Sequence, residues 1–256
     1  MILDQIVKTK RMEVEESKTL YPLSAVREGL KNMAPARNFK KALLDRKCAI
    51  IAEVKRKSPS RGTIRNDFDP LEIAAIYEKN GAAAVSVLTD EPFFGGKKES
   101  LTKIKGKILL PVLRKDFIID PYQVYETRRL GADAILFIAR LLQEELGDYI
   151  RLAEALDLIS LVEVHSAEDL ALALAAGAEL IGINNRDLAT FETGLETSLK
   201  LASLVPRGRI AIAESGIQSR NDIEILLEAG IHAFLIGEAL MKADDIAEKL
   251  RELRGR

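Results

Sequence analysis

Four stretches of this 256-residue chain begin alike: Gly81-Ala82-Ala83-Ala84-Val85, Gly131-Ala132-Asp133-Ala134-Ile135, Gly177-Ala178-Glu179-Leu180-Ile181 and Gly230-Ile231-His232-Ala233-Phe234. Each glycine ends a helical pattern and precedes an apolar run. A glycine there suits the left-handed residue that closes a helix, and the run after it reads as a buried strand. Near-regular recurrence of such a unit marks a repeated architecture.

Working outward, a second set of apolar runs lies between the first: Ile50 to Val54, Leu109 to Leu113, Ser160 to Val164 and Ile210 to Ala213. All are short, rich in Val and Ile, and apolar on both faces, as a parallel sheet covered on both sides requires. Helical patterns separate them. Eight βα units on one chain predict an α/β fold, a closed (β/α)8 or TIM barrel. An open, doubly wound sheet is the alternative. The regular count and the lack of a glycine-rich dinucleotide fingerprint favour the barrel. Residues 1–47 precede the first run and show helical stretches around Leu3 to Lys18, Leu23 to Met33 and Phe39 to Leu43. No Pro/Gly/Ser-rich linker sets them apart. They read as an N-terminal helical extension on a barrel over 48–256, all within one domain over 1–256, and near enough to the first strand to line a substrate mouth.

Composition narrows the function classes. Hydrophobic residues make up 47% of the chain, which excludes a disordered or fibrous protein. A net charge of −1 gives no electrostatic case for a nucleic-acid or anionic-membrane partner. No stretch approaches the ~18 apolar residues of a membrane span, and the amphipathic start, Met1 to Lys8, has no signal-peptide core. The lone Cys48 permits no intramolecular disulfide and fits a reducing cytoplasm. At the start of the first run it reads as a plain buried thiol.

In barrels of this kind the chemistry sits at the C-terminal ends of the strands, and here those ends are polar. They carry Glu53 and Lys55, then Arg114-Lys115-Asp116, Glu163, Asn184-Asn185-Arg186-Asp187, and Glu214-Ser215-Gly216. Glu53 and Lys55 are two apart, so they share one face of an extended strand. Burying charge is costly, so such groups need partners. One account is an ion-pair network across the barrel top; convergence of all of them at one end favours an active site. The turns Ser215-Gly216-Ile217 and Gly237-Glu238-Ala239 follow the last two strands, where many barrels bind phosphate through backbone N–H groups. Glu238 is an awkward neighbour for an anion, so its side chain is expected to point away. The basic loop Arg56 to Thr63, with Lys57, Ser58 and Ser60, reads as a lid or as an inert solvated loop. Of the pair Phe93-Phe94, one is expected to cover an aromatic group, and Phe93 is taken as that residue. His165, beside Glu163, and His232, at the opposite end, stand in no register with each other, so no metal is expected. No nucleophile elbow or P-loop occurs.

The residues to this point indicate a barrel enzyme for a small phosphorylated substrate. Five stretches then resemble the indole-3-glycerol phosphate synthase family: Ile51 to Ser60, Leu113 to Phe117, Leu161 to His165, Gly182 to Leu188 and Ala213 to Ile217. Their order and spacing match across essentially the whole chain. The resemblance implies ring closure of 1-(2-carboxyphenylamino)-1-deoxyribulose 5-phosphate, with loss of CO2 and water, in tryptophan biosynthesis. It implies Lys115 as general acid, Lys55 as second cation, Glu163 as base, Glu53 orienting the lysines, Asn184 holding the closing intermediate, and Arg186 and Glu214 completing the polar network. Lys57, Ser58, Ser215, Gly216 and Gly237 would surround phosphate or sugar, and Phe93 and Phe117 are counted among the substrate-binding residues. No metal or organic cofactor is implied. The rivals are another phosphosugar barrel, such as phosphoribosylanthranilate isomerase, and a non-catalytic barrel scaffold. The first would, by resemblance, use a cysteine, and Cys48 stands at the wrong end of its strand.

Overall fold

A computed structural model describes residues 2–59, 61–186 and 192–255. Ser60, Asp187 and Leu188 of the quoted motifs therefore lie outside the described residues. Eight parallel strands close into a barrel: β1 (Ala49–Val54), β2 (Ala84–Leu88), β3 (Val112–Lys115), β4 (Ala134–Ile138), β5 (Ile159–Val164), β6 (Leu180–Asn184), β7 (Ile210–Glu214) and β8 (Ala233–Ile236). Each strand pairs with the next in the chain, and β1 pairs with β8 through Ala49↔Ala233 to Ala52↔Ile236. The closed barrel replaces the open-sheet alternative.

The glycine pattern is built as read. Gly81, Gly131, Gly177 and Gly230 have φ of 83°, 92°, 88° and 84°, which a residue with a Cβ adopts only under strain. Strands β2, β4, β6 and β8 each begin three residues after their glycine. The third strand differs from its expected span. It begins at Val112, and Leu109 is 83% exposed. Pro111 has no N–H for a ladder, and the N–H groups of Leu109 and Leu110 donate to Glu78 Oε1 instead, at 2.6 and 3.1 Å.

Alternation along the strands divides the apolar residues into two sets. Ile51, Leu113, Leu136, Leu161, Leu180 and Ile212 pack together inside the barrel. Ile50, Val85, Ile135, Val162, Ile181 and Phe234 face the surrounding helices. The interior is filled rather than hollow, so a ligand is admitted only at a mouth.

The N-terminal extension forms helices α1 (Ile2–Leu20), α2 (Leu23–Glu28) and α3 (Phe39–Leu44). On α3, Phe39 and Leu43 pack beneath the barrel with Ala49 and Ala233. On α1, the buried Lys10 reaches Asp90 and Asp116, each at 3.0 Å. Burial works against the Lys10 ammonium, but Asp116 and Asp90 overcome it and raise its pKa. Asp116 is held well below the usual carboxylate range: burial opposes ionisation, and Arg114, Lys10 and Thr89 outweigh it. Arg114, fully buried, ties Thr89, Asp116, Glu126 and Thr127 together at 2.9–3.0 Å. Cys48 is half-buried just ahead of β1, with its sulfur 3.8 Å from an Arg220 nitrogen, so it is less enclosed than its apolar neighbours suggest. Among the described residues, no helix is long and apolar enough to cross a membrane.

Candidate active site

A cleft opens at the C-terminal ends of the strands. Its floor is charged and one wall is apolar. The floor holds Glu53, Lys55, Lys115, Glu163, Asn184 and Glu214. These come from β1, β3, β5, β6 and β7, at or just past the last inward position of each strand. Of the polar strand-end residues expected to converge, these six do, whereas Arg114 and Asn185 do not line the cleft and Asp187 lies outside the described residues.

Two ion pairs organise the floor. Lys55 Nζ lies 2.6 Å from Glu53 Oε1. Lys115 Nζ donates to Glu163 Oε2 at 3.0 Å, and Asn184 Nδ2 donates to Glu163 Oε1 at 3.1 Å. Glu214 Oε2 lies 3.4 Å from Lys115 Nζ. Burial pushes Lys115 toward neutrality, but Glu163 above all, with Glu53 and with Glu214 when that group is ionised, overcomes it and holds Lys115 as a cation. Glu163 is held below the ordinary carboxylate range: burial opposes ionisation, and Lys115, His165 and Asn184 win. His165, whose ring lies 3.4 Å from Glu163 Oε1, is depressed by burial.

Two glycines make room for this floor. A Cβ on Gly182 would collide with the Glu214 carboxylate, with Cδ at 3.1 Å. A Cβ on Gly237 would collide with the Glu53 carboxylate, with Cβ and Cδ both at 3.0 Å. In each case a buried glutamate lies across the bare position of the neighbouring strand, as Asn184↔Glu214 and Ala52↔Ile236 set the registers. Gly182 was not singled out from the sequence; a glycine inside a strand pattern was the available signal, since it marks close approach of another group.

The apolar wall comes from three places. Ile2, Leu3 and Ile6 of α1 line it, so the extension does reach the mouth. Phe117 follows β3. Phe94, rather than Phe93, completes the wall, with its ring centroid 6.0 Å from that of Phe117. The reason is a single helical turn, Glu91–Phe94, whose N–H groups at Phe93 and Phe94 donate to Asp90 Oδ1 at 2.9 and 3.3 Å. That turn places Phe94 on the cleft side and Phe93 outside the lining. Lys10 holds Asp90 and Asp116, along with Glu13 of its own helix at 2.6 Å, so one ammonium ties all three parts of the wall.

The opposite rim carries Arg186, Ser215, Gly216 and Gly237. Ser215 has φ 64°, an uncommon conformation for a residue with a side chain, and it directs the turn into the cleft. Glu238 does line the rim, contrary to the expectation that it points away. Its carboxylate is covered by Lys242, Arg186 and Arg61, at 2.6, 3.1 and 3.4 Å. The basic loop after β1 is a short hairpin, Lys57–Ser58 against Gly62–Thr63. Ser58 lines the cleft; Lys57 does not, and its Nζ donates to Pro92 O at 2.9 Å. His232 is exposed at the far end of the barrel. Among the described residues, no group of three or more His, Cys, Asp and Glu is arranged to hold a metal.

The indole-3-glycerol phosphate synthase family model matches residues 3–253. The chain belongs to the indole-3-glycerol phosphate synthase family. It is 48% identical to the indole-3-glycerol phosphate synthase of Alkaliphilus metalliredigens over 99% of this chain and 98% of that one. Against the Carboxydothermus hydrogenoformans protein of the same name the identity is 46%, covering 99% of each. Among solved structures, a thiamine phosphate pyrophosphorylase from Pyrococcus furiosus superposes with a TM-score of 0.62 at 18% identity, covering 83% of this chain and 96% of that one. That likeness shows the barrel alone.

Proposed function

We infer that the chain closes the indole ring of 1-(2-carboxyphenylamino)-1-deoxyribulose 5-phosphate, releasing CO2 and water to give indole-3-glycerol phosphate, and that residues 1–256 act as one working unit. Family membership supports the reaction. The observation that carries it to particular residues is Lys115, a partly buried cation among buried carboxylates at the foot of an aromatic wall.

Phe94 and Phe117 take the aryl ring against Ile2, Leu3 and Ile6. The ribulose chain then crosses the charged floor, and the phosphate lies at the rim, near the N–H groups of Ser215, Gly216 and Gly237 with Arg186 and Ser58 beside them. As the ring carbon attacks the carbonyl carbon, negative charge grows on oxygen, and Lys115 supplies the proton. Lys55, steered by Glu53, is the cation for loss of the hydroxyl. Glu163, kept ionised by Lys115 and Asn184, accepts the proton whose loss restores aromaticity. The electrons left by departing CO2 flow back into the substrate ring, so no external electron sink is needed. Nucleic acid and membrane have no place in this reading, and cytoplasm is the compartment it fits.

The test is turnover of the ribulose phosphate followed by indole fluorescence. Parent protein is expected to turn over, and Lys115→Ala to lose on the order of 10²–10⁴ in rate while keeping its fold. A parent without turnover refutes the reaction; a Lys115→Ala protein with parental turnover refutes the role.

A further inference from the structure

The floor holds three carboxyl groups and two ammoniums. Lys55 is taken by Glu53 at 2.6 Å, and Lys115 by Glu163 at 3.0 Å. Glu214 is the third carboxyl. It is 1% exposed, and among the described residues no hydrogen bond reaches either of its oxygens. Among the described residues, the cation paired with it is the Lys115 ammonium at 3.4 Å, already shared with Glu163. It lies against the bare face of Gly182, where an added Cβ would fall 3.1 Å from Glu214 Cδ and 3.3 Å from Leu161 Cδ1. A buried carboxylate with no donor and half a counter-charge is costly, and the cheaper state is the neutral acid. Burial raises its pKa first, Glu163 and Glu53 raise it further, and Lys115 opposes them without prevailing.

A second difficulty meets it. Lys115 is a reluctant acid. If it released a proton alone, a neutral amine would be left among carboxylates that hold it as a cation. We propose that Glu214, seated by the bare face of Gly182, is a neutral proton reserve that recharges Lys115 during ring closure. The proposal rests on the activity inferred above. In the step, the substrate carbonyl carbon gains its new bond to the ring carbon as the C=O π bond opens. A Lys115 N–H bond breaks and an O–H bond forms on the substrate oxygen. The Glu214 O–H bond then breaks, and a new N–H bond restores the ammonium. Glu214 ends as a carboxylate, now properly paired with Lys115, and takes its proton back from water after product leaves. Glu214 acts through Lys115, so it is a positioning residue, and Gly182 positions it in turn.

The test uses the whole chain without ligand first. Infrared spectra of parent, Glu214→Gln and Gly182→Ala are recorded near neutral pH. Parent is expected to show the carbonyl stretch of a neutral carboxylic acid, fading as pH is raised, and Glu214→Gln to lack it. Turnover follows. Glu214→Gln is expected to lose on the order of 10²-fold in kcat, with KM changed only a few-fold. Parent kcat is expected to fall over the same pH range as the band, and that limb to vanish in Glu214→Gln. Gly182→Ala should lose kcat comparably, and adding it to Glu214→Gln should cost little more, as coupled sites behave. A resting parent without the band, or a band that survives Glu214→Gln, overturns the neutral acid. A band present with kcat unchanged in Glu214→Gln overturns the recharging step. A parent with the band but no turnover sinks the proposed reaction and the recharging step with it, while the band still decides the state of Glu214.

Discussion

Replacing Lys10 with methionine tests whether the apolar wall is held by one buried ammonium. Methionine keeps much of the side chain's length and bulk, so packing changes little and charge is what is removed. Two buried carboxylates, Asp90 and Asp116, lie 3.0 Å from Nζ, and the partly exposed Glu13 lies 2.6 Å from it. Removing one partner of a buried pair costs about 3–5 kcal/mol, because the other charge is left uncompensated. The lower end applies here. Asp116 retains Arg114 and Thr89, and Asp90 retains the amides of Phe93 and Phe94. A loss of about 3 kcal/mol lowers the Tm of a chain this size by about 6–12 °C. The assay is a thermal melt with a parallel urea titration, and Lys10→Arg should recover most of the loss. Acid dependence gives an independent check. Asp116 has a depressed folded pKa, so its contribution is present above the ordinary carboxylate pKa and is lost as pH falls toward the depressed value. With Lys10 gone that depression lessens, and the variant's stability should fall less steeply in acid than the parent's. A Tm within about 1 °C of parent, far less than this loss requires, would refute the reasoning.

Phe94→Ala is expected to raise KM for the ribulose phosphate about tenfold, from lost aryl contact of ~1–1.5 kcal/mol; Phe93→Ala should leave KM within about twofold, and steady-state kinetics on both settles which ring faces substrate. Gly237→Ala should lower kcat by displacing Glu53 and cost about 1–3 kcal/mol from overpacking, read by turnover and urea unfolding; parental values for both would contradict the seat drawn for Glu53. Turnover is expected to survive exhaustive chelation, since the electrons of decarboxylation return to the substrate ring; loss on chelation with rescue by a divalent ion would contradict that mechanism.

The barrel was legible because its signal is local. A helix-closing glycine and the strand three residues beyond it lie within one short window, and hydrophobic alternation extends the reading. The charged strand ends were legible for the same reason. Contacts between windows were not. Gly182 matters because Glu214, on the next strand, lies across it, and only the barrel's register brings them together. Lys10 reads as an ordinary surface lysine until the chain folds Asp90 and Asp116 onto it. Phe93 and Phe94 are adjacent and alike, and the choice between them depends on one capped turn.

Barrel closure also bears on how the chain is made. Residues 49–52 of β1 find their second partner only in residues 233–236 of β8. Throughout synthesis of everything between, one flank of β1 and the newest strand's outer flank offer unpaired N–H and C=O groups. Sequence-distant pairing of this kind is slow, and open strand flanks invite association with other chains. The carboxylates that receive Lys10, by contrast, have emerged by residue 116, about halfway along. The N-terminal helix can therefore dock on the first three strands well before the ring shuts. Nascent chains stalled beyond residue 116 but short of β8 should be open half-rings, with one end already steadied and two raw edges exposed to whatever they meet.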